Sequence, residues 1–166
     1  MKIIISEKIP RIIKNRKRLE EKLEVKISIR GREVTIEGLP LNEYVAEKVI
    51  EAIDFGFSLS NAFLIKEEDF TFEILNIKDH TKRRDFKRIR ARLIGTRGKT
   101  LKTLHDLTDC NFELKDNEVG IIGDSEHIKN AQNAVIAIIK GAKQSNVYSF
   151  LEKHKPGEVI DLGLKK

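Results

Sequence analysis

A chain of 166 residues, 40% apolar and 35% charged, has the size of one domain or two small ones, and it is too rich in Ile, Leu, Val and Phe to be disordered. No apolar run nears the roughly 18–20 residues of a membrane span. The stretch Met1–Lys8 mixes one acid with two lysines, unlike a secretory signal, and the single cysteine, Cys110, has no partner for an internal disulfide, so an intracellular, cytoplasmic protein is expected. The net charge of +6 is unevenly spread: residues 1–81 carry 14 Lys/Arg against 15 Asp/Glu, and residues 82–166 carry 18 against 11.

In chain order, Ile3-Ile4-Ile5 reads as an opening strand, followed by a helix over about 16–24, strands over about 25–30 and 33–37, and a helix over about 41–55 stopped by Gly56. Ala62–Ile65 is expected to pack a short helix onto this core. Phe70–Leu75 alternates as a second opening strand. The basic run Lys82–Arg92 has seven basic residues and one acid, with Phe86, Ile89 and Leu93 at helical spacing. Such a run points to a polyanionic partner, nucleic acid first, or else to a solvated helix face. Leu101, Leu104 and Leu107 mark a helix from near Lys99. Asn111–Leu114 and Val119–Ile122 read as strands joined by an Asp116-Asn117 turn. Ser125 is placed to cap a long helix with Ala131, Ala134, Val135, Ile138 and Ile139 inward and Gly141 at its end. Val147–Phe150 reads as a short C-terminal helix.

Residues 8–65 and 93–150 align without a gap at an offset of 85: Leu19 with Leu104, Val34 with Val119, Ile36 with Ile121, Gly38 with Gly123, Ile53 with Ile138, Gly56 with Gly141, Ser60-Asn61 with Ser145-Asn146. The chain therefore reads as a duplicated unit, and the second copy carries about fourteen extra residues, the basic segment, ahead of the shared pattern.

Leu93-Ile94-Gly95-Thr96-Arg97-Gly98-Lys99-Thr100 holds a Gly-x-x-Gly loop before a helix. Glycines leave room for a nucleic-acid backbone, the following helix start favours an anion, and Arg97 and Lys99 add charge. In this setting the unit resembles the KH domain, which clamps about four nucleotides of single-stranded nucleic acid. Phe55–Phe63, Glu73–Asp79, Arg92–Thr100, Gly120–Asp124 and Val147–Glu152 extend the likeness to the archaeal tandem-KH RNA-binding proteins of the partner-of-Nob ribosome biogenesis family.

The resemblance implies an α+β fold of two tandem type I KH domains (βααββα), each a three-stranded antiparallel sheet against three helices. The first, degenerate domain would span 1–66, the second 67–152, and a C-terminal tail 153–166. It implies a single-stranded RNA-binding, non-enzymatic assembly factor on the 3′ region of small-subunit pre-rRNA. Such a factor acts beside the Nob endonuclease, with the alpha subunit of translation initiation factor two as a further partner. The alternative is a protein–protein adaptor in the translation machinery whose KH domains mainly dock partners. The free protein is expected to be a monomer without cofactor.

Candidate RNA-binding residues are Gly95, Thr96, Arg97, Gly98, Lys99 and Lys102, with Arg88, Arg90 and Arg92 leading in; three arginines at this spacing cannot all face one way on a helix. Lys82, Arg83, Arg84 and Lys87 lie farther back. Ile94 and Leu101 are either core or an apolar floor for a base. The edge near Asn111–Glu113 is a candidate for reading bases by hydrogen bonds. In the first copy Pro10-Arg11-Ile12-Ile13 stands where the loop would be. Pro has no N–H to offer and Ile13 is β-branched, so this copy is expected to lack the clamp, leaving structural or protein-binding use beside RNA contact through Lys14, Arg16, Lys17 and Arg18. Cys110 reads as a buried small hydrophobe. His80, His105, His127 and His154 have no ligand spacing, and no metal site or catalytic set is expected.

Overall fold

The computed structural model describes residues 1–155, and the tail expected over 153–166 lies outside them from residue 156 on. The first half folds as β1 (Lys2–Ile5), α1 (Ile9–Leu23), β2 (Lys26–Arg30), β3 (Glu33–Glu37), α2 (Pro40–Phe55) and the short α3 (Leu59–Phe63). The second half folds as β4 (Phe70–Asn76), α4 (Phe86–Ile94), α5 (Lys99–Thr108), β5 (Asn111–Lys115), β6 (Glu118–Asp124), α6 (Ile128–Ile139) and α7 (Gln144–Lys153). Both halves contain a three-stranded antiparallel sheet of the same order, β1-β3-β2 and β4-β6-β5. No helix among the described residues is long and apolar enough to cross a membrane.

Two expectations are corrected. The first half runs βαββαα, not βααββα. Its α1 begins at Ile9, seven residues before the expected start, because Pro10 sits at the N-terminal turn, where a missing N–H costs nothing, and so opens the helix. At the offset of 85, α1 matches the stretch from Ile94 to Thr108, so the first half has one continuous helix where the second has a loop and α5, and no counterpart of α4. The second correction concerns Ser125. It does not cap α6; Asp124 Oδ1 accepts the N–H groups of Glu126 (3.0 Å) and His127 (2.9 Å). Burial alone would raise the Asp124 carboxyl, but these bonds and the His127 ring hold it below its ordinary value.

The sheets are buried differently. In β3 only Val34 and Ile36 are buried, a one-sided alternation, and Ile3 and Ile5 of β1 stay exposed. In β6 every residue from Val119 to Gly123 is buried. Val119 and Ile121 pack among Leu104, Phe112, Val135 and Ile138, whereas Ile122 joins Phe55, Phe57, Phe63, Ile65 and Phe72 in the core of the first half. The outer face of the second sheet is thus covered by the end of α2 and the turn after α3. Phe55, Phe57 and Phe72 meet there, with Phe72 edge-on to Phe55 at 5.9 Å and to Phe57 at 5.6 Å between ring centroids. Lys115 Nζ reaches Glu7 at 3.0 Å across the same junction.

Candidate nucleic-acid interface

The loop between α4 and α5 is built from backbone conformations that most side chains resist. Gly95 ends α4 at φ 78°, ψ 170°, donating its N–H to Ala91 O (2.8 Å). Arg97 and Gly98 both sit in the left-handed region, at φ 57° and φ 73°, and Gly98 donates to Gly95 O (3.2 Å). The result is one tight turn that reverses direction and starts α5 at Lys99. No side chain caps α5; the Lys99 N–H is taken by Thr96 O, and the positive end of the helix dipole lies at this turn. Thr96, Arg97, Lys99 and Lys102 are exposed around this point.

One flank of α4 forms a groove of about 450 Å³ with the β5–β6 turn, lined by Arg90, Ile94, Leu114, Asp116 and Asn117. Ile94 is 38% exposed here, so it is the groove's apolar floor, while Leu101 is half-buried against the core. Arg90 donates through Nη1 to Asn117 Oδ1, tying the two walls together. β5 is an edge strand, which leaves one side of its backbone unpaired by sheet neighbours. The groove thus has an apolar floor of Ile94 and Leu114 between polar walls of Arg90, Asp116 and Asn117.

The three leading arginines diverge. Arg88 is exposed, Arg90 lines the groove, and Arg92 is engaged in the fold: its Nη1 donates to Ile138 O (2.7 Å) and its Nη2 to Ala142 O. Arg92 therefore supports the loop from behind and does not project toward a ligand. The edge near Asn111–Glu113 also differs from expectation. Glu113 turns to the first half beside Gly56, and burial pushes its carboxyl above the ordinary range. Leu114, Asp116 and Asn117 are the groove residues instead. Asp116-Asn117 is legible in the sequence only as a turn, since nothing local says that it faces α4. Lys82, Arg83, Arg84 and Lys87 are exposed ahead of the groove.

The first half offers no equivalent. Where the loop would stand, Arg11 lies within α1 and donates to Ile53 O (3.2 Å) and Phe57 O (3.1 Å). Its exposed cations Lys14, Arg16, Lys17 and Arg18 lie along α1, with Arg16 paired to Glu20 at 3.7 Å and Arg18 over the Phe63 ring at 5.7 Å. Cys110 is fully buried, and desolvation pushes its thiol up to about 12.

Residues 71–156 match the family described as "Eukaryotic type KH-domain (KH-domain type I)", in its PNO1 form. A KH domain-containing protein of Methanocaldococcus jannaschii is 30% identical over 147 residues, covering 84% of this chain and 65% of that protein. Relatives in flies, nematodes and fungi, named RNA-binding protein pno1 or pre-rRNA-processing protein PNO1, are 26–30% identical. The chain spans 50–65% of the length of these curated relatives. Among solved structures, Dim2p of Pyrococcus horikoshii has a TM-score of 0.84 at 26% identity, covering 92% of this chain and 98% of that one. A complex of a/eIF2alpha, aDim2p and rRNA from the same organism has a TM-score of 0.82 at 27% identity, with 92% of each chain covered.

Proposed function

This chain belongs to the PNO1-like family of type I KH-domain proteins, and from that premise we propose that it is a single-stranded RNA-binding assembly factor for the small ribosomal subunit. The loop from Gly95 to Gly98 clamps the RNA backbone, with Arg97, Lys99 and Lys102 neutralising phosphates, and the groove between α4 and β5 takes the bases. The observation that carries this reading is the open left-handed turn ahead of an uncapped helix, beside a groove whose floor is Ile94 and Leu114. Phosphate contacts at the loop position the strand, and only groove contacts specify it. Relatives named as pre-rRNA-processing proteins and a similar structure determined with rRNA support a ribosomal target, the 3′ region of the small-subunit rRNA precursor. The protein acts by binding, beside the Nob endonuclease that would make the cut, and not as the nuclease itself.

The two halves are two KH-type units, over 1–66 and 67–152, of which the first has lost the helix and loop that make the clamp. Its exposed apolar residues suit protein docking: Ile3 and Ile5 on β1, and Leu39, Leu41 and Tyr44 at the start of α2. A neighbouring structure that contains a/eIF2alpha supports the alpha subunit of translation initiation factor two as a partner.

The test compares affinities for a single-stranded fragment of the small-subunit rRNA 3′ end and a scrambled fragment of equal length. The wild type is expected to prefer the rRNA fragment, and a variant with Thr96→Asp and Arg97→Asp is expected to lose at least tenfold for it while staying folded. Equal affinity for both fragments would overturn the ribosomal placement. Unchanged binding by the variant would overturn the loop as the clamp and leave docking as the main role.

A further inference from the structure

The second flank of α4 carries a cleft that the KH groove does not use. Successive helical residues turn by about 100°, so Arg90 and Ile94 face β5 while Arg88, Ala91 and Arg92 face α7. There they line a cleft of about 400 Å³, closed by Thr96 and Lys99 of the loop region and by Tyr148 of α7. Gly95 and Thr96 of the loop line this cleft, and Ile94, the residue just ahead of the loop, lines the groove, so the two hollows lie on either side of the end of α4.

The lining has a single sign of charge. Arg88, Arg92 and Lys99 are its charged residues. The α4–β5 groove includes Asp116, and the cleft at the junction of the two halves includes Glu67, Glu68 and Glu73. Arg88 and Lys99 are exposed and form no ion pair with a described residue. Ala91 is exposed and small, which leaves the floor open. The walls are fixed in advance: Arg92 holds the carbonyls of Ile138 and Ala142, and Gln144 Nε2 donates to Arg92 O (3.4 Å), so α4 and the start of α7 are held together. A half-buried tyrosine beside free cations, in a preformed hollow without acids, has the chemistry of a site for a nucleobase with its phosphate.

We propose that this cleft is a second nucleotide subsite, in which Tyr148 stacks the base of a nucleotide flanking the strand in the α4–β5 groove while Arg88 and Lys99 hold its phosphate. It extends the RNA footprint beyond the four nucleotides of a KH groove, and it rests on the RNA-binding reading given above.

The experiment is an abasic scan on the full chain. A ten-nucleotide single strand from the small-subunit rRNA 3′ end is made with one base removed at each position, and affinities are measured for the wild type, Tyr148→Ala, Tyr148→Phe and Ala91→Glu. In the wild type, removing the flanking base is expected to weaken binding roughly tenfold. In Tyr148→Ala the sensitivity at that one position disappears, while positions in the α4–β5 groove keep theirs; Tyr148→Phe retains the wild-type profile. Ala91→Glu, which brings bulk and negative charge to the floor without touching the core, also removes it. An unchanged profile in Tyr148→Ala, or a uniform loss at every position, overturns the subsite and leaves Tyr148 as packing for α7. Failure of the wild type to bind any of the oligonucleotides would instead overturn the RNA-binding reading, and the subsite with it.

Discussion

A Cβ on Gly95 would lie 2.2 Å from Thr100 Oγ1 and 2.6 Å from Thr100 N, whereas a Cβ on Gly98 would meet nothing within 4 Å. The two glycines therefore differ: the fold itself has no room for a side chain at Gly95, whereas the space beside Gly98 is open. Gly95→Ala forces α5 away from α4 and should cost about 1–3 kcal/mol in urea unfolding. Gly98→Ala has only its left-handed backbone to strain, about 1 kcal/mol, yet it puts a methyl group where the proposed clamp would take a phosphate. Its expected signature is a nearly native unfolding midpoint with RNA affinity down at least tenfold; retained affinity would show that the backbone of RNA does not come close there. At Cys110 the thiol is pushed up to about 12, so it should resist thiol reagents at pH 8 in the folded protein and react only on unfolding. Its linkage has a definite sign: the unfolded thiol ionises near pH 8.5 and the folded one does not, so stability falls as pH rises from about 9 toward 12. The Gly-x-x-Gly spacing made the loop readable, because the chemistry sits in consecutive residues. Arg92 was not readable as a support, since its partners are main-chain carbonyls 46 and 50 residues away.

The same pair of carbonyls is held by arginine in both halves, but from different elements. Arg92 of α4 holds Ile138 and Ala142, and Arg11 of α1 holds Ile53 and Phe57, their equivalents at the offset of 85. The end of the long helix needs a donor after its last turn, and the half without α4 supplies it from the place of the loop. That substitution explains how the first half closes its core without α4 and the loop. Replacing either arginine by Met should cost about 1–3 kcal/mol in urea unfolding, and Lys should not restore it, because one ammonium cannot span two carbonyls as a planar fork does. A lysine variant as stable as the wild type would contradict this. Strands and long helices were legible because apolar alternation and helical spacing fix them, as in β3 and α6. The start of α1 was not, because Pro10 looks like a loop residue when set against Gly95, although a proline can equally open a helix.

At the scale of the molecule, the two halves share a core. Gly120 has no side chain because the rings of Phe55 and Phe57 lie where a Cβ would stand, at 2.8 and 2.9 Å, and Phe57 is fully buried. The sequence marks these phenylalanines as apolar without saying that they cover a sheet in the other half. Such sharing should make unfolding a single transition. Phe57→Ala is expected to destabilise both halves together, by about 3–5 kcal/mol in urea unfolding, and two separated transitions in the wild type would contradict it. The charge is shared unequally, with the excess on the half that carries the loop, and this sets the most direct measurement: RNA affinity against salt concentration for the wild type and the Thr96→Asp, Arg97→Asp variant. For single strands each phosphate contact contributes about −0.7 to the slope of log affinity on log salt. If the loop is the clamp, the variant binds more weakly and its slope is shallower by about one or two contacts. A variant with the wild-type slope and affinity would mean that RNA, if it is bound, is held elsewhere.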